Sequence, residues 1–301
     1  MKKISLLAAL LFPVGLWAGT LKVVATTPDL ADIAAQVGGT SVKVDCLSKG
    51  FQDPHFVESK PSLILKLMDA DVFIETGLEL EVGWAPLLVQ GSRNSRIQPS
   101  TPGFLNASKG ISPLEVPQNP NRSMGDVHPG GNPHFLTDPE NARIVAREIA
   151  EKFAELSPGD AATFQKNEKD FDSRIDAKMA EWRAAMAPYK GVEFVSYHRN
   201  LDYFAARFGL ICAGEIEPKP GIPPTARHTE ELIALMKARK IRIVLTQPYY
   251  EDRTPKFLGE QTGANVLTFA MGPEGAPGVK DYFGSVDYNV RAIQEALKGG
   301  K

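Results

Sequence analysis

The stretch Asp160–Met186, DAATFQKNEKDFDSRIDAKMAEWRAAM, decides how this chain is organised. Its large apolar residues, Phe164, Phe171, Ile175, Met179, Trp182 and Met186, are spaced by sevens, fours and threes, with charged residues or alanine filling most positions between them. That spacing places one apolar stripe along a helix of 3.6 residues per turn, and no Pro or Gly interrupts it. At 1.5 Å per residue such a rod is about 40 Å long, enough to cross two lobes. On both sides of it the pattern changes to short apolar runs alternating with helical ones. Upstream, Leu21–Ala25 is expected as a strand, Thr27-Pro28-Asp29 caps a helix through Leu30, Ile33, Ala34 and Val37, and Ser41–Leu47 is a second strand. A helix over Lys60–Asp69 and a strand at Val72–Ile74 follow. Residues 94–133 are rich in Pro, Gly, Ser and Asn without periodicity and are expected as one long surface loop. Asp138-Pro139-Glu140 then opens a helix that continues to Phe153.

Downstream of the rod, strands are expected at Glu193–Tyr197, Leu210–Ala213, Ile241–Thr246 and Asn265–Phe269. Helices over Leu201–Phe208, Thr229–Lys237 and Pro255–Thr262 lie between them. Repeated β-α-β order implies a mostly parallel sheet covered by helices. The expected fold class is therefore α/β: two lobes, each a mostly parallel sheet flanked by helices, joined by one long backbone helix. The boundaries are 19–157 and 189–301 for the lobes and 158–188 for the linking helix.

Composition sets the class. The 301 residues are 43% hydrophobic and 23% charged, the balance of an ordinary globular protein. Residues 1–18 have the charged start, short apolar middle and small-residue end of a cleavable signal peptide. No Cys adjoins the cut to carry a lipid, so a periplasmic, secreted protein without an anchor is expected. Loss of Lys2 and Lys3 moves the net charge from −2 to about −4, which carries no nucleic-acid footprint. Two cysteines, Cys46 and Cys212, are expected to be free and buried.

The chain has five histidines. Three of them, in Asp53-Pro54-His55, Asn132-Pro133-His134 and Ser196-Tyr197-His198, follow apolar runs at comparable topological positions. Ligands in sheets of this kind gather outside the carboxyl ends of the strands. Neutral imidazole is a strong ligand for Zn²⁺ and its neighbours. The expectation is one metal site, His55 and His134 from the first lobe and His198 from the second, with a fourth position left for a carboxylate, water or substrate. His128 is read as a solvated loop residue that meets metal only transiently. His228 is read as a capping or packing residue at a helix start.

These same residues carry a family resemblance. Asp53-Pro54-His55 with Pro61-Ser62, the run Glu75–Trp84, Asn132–Pro139, Tyr197-His198 with Tyr203-Phe204, and Glu217–Ile222 resemble the cluster A-I substrate-binding proteins of zinc and manganese ABC transporters. The resemblance spans essentially the whole mature chain. It implies two α/β lobes on a rigid helix, one metal between them, and delivery of that metal to a membrane permease. Manganese-type relatives place a carboxylate where His198 stands, so the resemblance implies Zn²⁺, with Mn²⁺ as the lesser choice. It also implies a departure: an Asp is usual near the end of the last strand, and this chain has Phe269. Glu217 and Glu251 are then the nearest candidate carboxylates, each more readily a surface or loop-structuring acid. The metal-capturing loop of zinc-type relatives is reduced here to Asp126 and His128.

Two other readings compete. A three-histidine zinc with bound water could serve a hydrolase, but no His-Glu-x-x-His or Gly-x-Ser-x-Gly motif accompanies it. An adhesin, or a Mn²⁺ carrier, could use the same fold. A monomer is expected.

Overall fold

The computed structural model describes residues 19–298, so the signal peptide read at residues 1–18 lies outside the described residues. The first sheet contains β1 (Leu21–Ala25), β2 (Val42–Cys46), β3 (Val72–Glu75) and β4 (Phe104–Asn106). The second contains β5 (Glu193–Ser196), β6 (Ile211–Glu215), β7 (Ile243–Thr246) and β8 (Asn265–Thr268). Both are wholly parallel, in the orders β2-β1-β3-β4 and β6-β5-β7-β8, so the two lobes repeat one topology. In each, the chain reverses its direction of progress beside the central strands β1 and β5. Crevices at such reversals lie outside the strands' carboxyl ends.

Helices α1 (Pro28–Gly38), α2 (Pro61–Met68), α3 (Ala85–Gly91) and α4 (Pro139–Leu156) belong to the first half. After the backbone helix α5 (Ala161–Met186) come α6 (Asp202–Phe208), α7 (Ala226–Arg239), α8 (Arg253–Thr262) and α9 (Tyr282–Leu297). Among the described residues none is long and apolar enough to cross a membrane.

Strand alternation assigns each side chain to one of two cores. Val23, Ala25, Val72 and Ile74 point to one face of the first sheet, while Val24 and Phe73 point to the other. In the second sheet Phe194, Ile243 and Leu245 share one face, and Val195 and Val244 the other. The inner faces of both sheets, together with α1, α4, α5 and α9, form a single continuous core. The outer faces form separate smaller cores. All six apolar residues of the α5 stripe are buried in the shared core.

Three elements differ from the sequence reading. β4 lies inside the expected loop: three residues are too few to show a period, and the strand exists because Phe104–Asn106 pairs with Phe73–Glu75. Helix α3 is a short apolar turn ahead of that loop, in a stretch for which the sequence pattern predicts no element. Helix α9 extends past the last expected element. Its spacing of Tyr282, Val286, Val290, Ile293 and Leu297 is a helical signal in the sequence itself.

α9 ties the lobes together. Its first residues face the first lobe, where the Tyr282 amide donates to Asp32 Oδ2 (2.8 Å) and the Tyr282 hydroxyl to the Leu136 carbonyl (2.8 Å). Phe283 packs on Phe171 and Trp182 of α5 and under the Arg174 guanidinium. Its last turn accepts from Arg242 and Asn265 of the second lobe. Cys46 and Cys212 are free, as expected, but half-buried rather than buried. They sit on strands of different sheets, and burial pushes both thiols up to about 12.

Candidate metal centre

Each histidine reaches the cleft on its own local device. Asp53 accepts from both the His55 amide (2.9 Å) and His55 Nδ1 (2.7 Å), so the Asp-Pro-His turn orients the ring it carries. The Pro54 carbonyl between them is fixed by the buried indole of Trp84 (2.8 Å). His134 is held from the opposite lobe as well. Its amide donates to Asn132 Oδ1 (3.0 Å), and the Asn132 carbonyl accepts from the Tyr203 hydroxyl of α6 (2.8 Å). Asp138, four residues on, caps α4 and pairs with the Arg207 guanidinium of α6 through two 2.7 Å contacts. His198 leaves the end of β5 directly; Ser196 Oγ donates to its carbonyl (2.7 Å), and Glu217 Oε2 faces its Nδ1 at 2.7 Å.

One ligand-type nitrogen from each of His55, His134 and His198 lies within 4.8 Å of the others. The rings meet at 5.1–5.5 Å between centroids, edge to face. With Nδ1 of His55 and of His198 engaged by carboxylates, their Nε2 atoms are the ones left to serve a metal. That is the arrangement in which a carboxylate fixes the tautomer of a metal-binding imidazole and raises its basicity. His134 Nε2 is buried and has no hydrogen-bond partner. A buried polar atom without a partner costs free energy, and a cation among the three rings would satisfy it. The donor set therefore fits a divalent transition metal.

Electrostatics favour a neutral ring at His134. Burial, then the neighbouring imidazoles, hold His134 well below the ordinary histidine range. Burial raises Asp53, but the hydrogen bonds it accepts from His55 outweigh it, and the carboxyl ends below its usual value. A neutral ring keeps the lone pair that a metal needs, and an ionised carboxylate behind it strengthens the donation.

Some assignments change. Glu217, considered above as an oxygen donor to the metal, stands behind His198 and also accepts from the Gly221 amide (3.2 Å). Glu251 structures its loop by accepting from the Thr254 amide (3.1 Å) at the start of α8. Phe269 is buried in the shared core, edge-on to Phe204 at 5.0 Å, so it contributes packing. His228 packs: its ring Nε2 meets the Glu215 carbonyl at 2.8 Å. His128 departs from the solvated-loop reading. Its Nε2 is 3.3 Å from His55 Nε2 and the two rings stack, which places a fourth imidazole against His55, outside the group formed by the other three nitrogens. Burial, then His55 and His198, lower it to about 4. The sequence offered one signal for this, the presence of a His in a loop six residues before His134, but no spacing rule converts that into proximity.

A cleft of about 500 Å³ opens beside the site, lined by His128, His198, Asn132, Asp126, Arg199 and Glu217 among others.

Comparisons with known proteins agree with this fold. A family model described as ZnuA, zinc-uptake complex component A, periplasmic, matches residues 23–296. The manganese ABC transporter substrate-binding lipoprotein PsaA of Streptococcus anginosus is 24% identical over 286 residues, 92% of this chain and 89% of that protein. The high-affinity zinc uptake system protein ZnuA of Brucella abortus is 32% identical over 165 residues, 55% of this chain and 48% of that one. A crystal structure of ZnuA shares the fold with a TM-score of 0.78 at 23% identity, over 92% of this chain and 99% of that one. The relatives are substrate-binding proteins of metal transporters, which are not enzymes, and the hydrolase reading ends there. With its two-lobed fold and a family match over residues 23–296, this chain belongs to the ZnuA family: it is an extracytoplasmic, metal-binding substrate carrier of a cluster A-I ABC transporter, working with a membrane permease.

Proposed function

We propose that the protein carries Zn²⁺, held between the lobes by His55, His134 and His198, and delivers it to the permease. The observation that carries this reading is the buried, partnerless Nε2 of His134 facing two further imidazoles whose Nδ1 atoms are fixed by Asp53 and Glu217. An all-nitrogen set suits Zn²⁺, while Mn²⁺ is better served by oxygens. On this reading residues 1–18 are a cleaved signal peptide, the mature periplasmic protein has no lipid anchor, and it acts as a monomer with lobes 19–157 and 189–301 on the helix 158–188. Ligands divided between the lobes give the permease a difference to read between loaded and empty carrier.

A Mn²⁺ carrier is the second reading, favoured by the long match to a protein named for manganese. A titration of the chelator-stripped protein against a chromophoric chelator separates the two. One equivalent of zinc at nanomolar or tighter Kd, with manganese bound at least about 100-fold more weakly, is expected from the donor set. Equal or stronger manganese binding would reverse the assignment. Weak binding of several zinc ions would mean that the cleft is not the transport site.

A further inference from the structure

We propose that His128 is a fourth ligand to the carried metal, making the loaded site a four-imidazole site closed by its own loop. This rests on the reading of His55, His134 and His198 as ligands and deepens it. Zinc–nitrogen bonds of about 2.0–2.1 Å, arranged tetrahedrally, separate their nitrogens by roughly 3.3–3.4 Å. His128 Nε2 and His55 Nε2 already stand 3.3 Å apart. The oxygens that could fill the same position are engaged elsewhere. Asp53 and Glu217 face Nδ1 atoms, Glu251 holds the start of α8, and Phe269 occupies the core where a carboxylate could have stood.

The structure also fixes the neighbourhood of the ring. The loop carrying His128 runs against the Leu78-Glu79 segment, where a Cβ on Gly130 would meet the Leu78 side chain at 3.0 Å. Those two residues adopt left-handed conformations, φ 52° and 66°, although neither is glycine. Such backbone persists only where surroundings enforce it, and clusters at functional sites. Here the enforcement is visible: buried Glu81 accepts from the Thr76 amide (2.7 Å), the Gly77 amide (3.2 Å) and the Thr26 hydroxyl (2.6 Å). That pins the segment before Leu78 to the ends of β1 and β3.

The loop carrying His128 is latched to the other lobe. The Asp126 amide donates to the Pro220 carbonyl (2.9 Å), and Lys219 Nζ to the Ser123 carbonyl (2.6 Å). Gly125, at φ 82°, permits this approach, since a Cβ there would sit 2.4 Å from the Pro220 oxygen. The loop therefore lies between both lobes with an imidazole aimed at the site.

The test is a long-range ¹⁵N–¹H correlation spectrum of the histidine rings in the protein loaded with one equivalent of zinc. Four metal-bound Nε2 signals are expected, with His228 as the unshifted fifth ring. His128→Ala should leave three and weaken zinc binding by at least about tenfold, while His228→Ala leaves both readouts unchanged. A wild-type count of three, or a count that His128→Ala does not alter, overturns the proposal. His134→Ala separates this failure from failure of the underlying reading: wild-type affinity in that variant would displace the whole site, whereas its loss alongside a silent His128→Ala would remove only the fourth ligand.

Discussion

His134 and His198 differ from His55 and His128 in what holds them. The first two adjoin regular structure, His134 just ahead of the approach to α4 and His198 just past the end of β5, and are only 5% and 6% exposed. The second two ride on loops, one oriented by its own Asp-Pro-His turn and the other carried by a loop that packs against the left-handed Leu78-Glu79 segment. The site is thus a rigid seat with a looser cover. Under the seat lies one continuous core in which α5 and α9 bind both sheets, so the lobes have little freedom to hinge. On the proposed function, metal exchange is then expected to proceed through the loops.

Trp182→Ala strikes at that contrast most heavily. The side chain is buried, packs near Phe283, and donates Nε1–H to Asp287 Oδ1 at 2.7 Å. Its loss should cost about 3–5 kcal/mol and lower the melting of both lobes together in one calorimetric transition. Two separate transitions would show that the lobes are independent and that the shared core does not couple them.

Removing a seat ligand comes next. His198→Ala should weaken zinc binding by more than about 100-fold, because it deletes a donor and strands Glu217. The same change at His128 should cost less, since the cover also loses the entropy of an ordered loop when it binds. Equal losses would erase the distinction between seat and cover, and competition titration measures both.

Smaller still is the effect of the carboxylates behind the rings. Glu217→Gln and Asp53→Asn each keep the shape and remove the charge; about 10–100-fold weaker binding is expected for each. Unchanged affinity would mean that these acids only organise their loops. The smallest signal should come from overall shape. Small-angle scattering before and after zinc addition should show no domain-scale compaction, and a large one would contradict the rigid seat.

Much of this was legible in the chain. The α5 stripe appears in the structure with the same six residues buried, because a helix that long must bury one face and Pro and Gly are absent. The β-α alternation on both sides gave the two parallel sheets. The segments that escaped were those whose stability comes from elsewhere. β4 exists only as a partner for β3, and α9, though amphipathic, matters because it runs between lobes.

For the site, sequence named three histidines by their settings but misjudged the polar residues around them. Glu217 reads as a candidate ligand on a loop and becomes the orienting partner of a ring 19 residues earlier. His128 reads as a solvent-facing residue and becomes a neighbour of His55, 73 positions away. The amino-acid order by itself determined the elements, their alternation and the stock of imidazoles, because periodicity and residue chemistry are local. Which nitrogen faces which carboxylate, and which loop meets the cleft, only the tertiary structure decided. Those contacts join residues far apart in the chain, and hydrogen-bond direction is set by packing rather than by spacing.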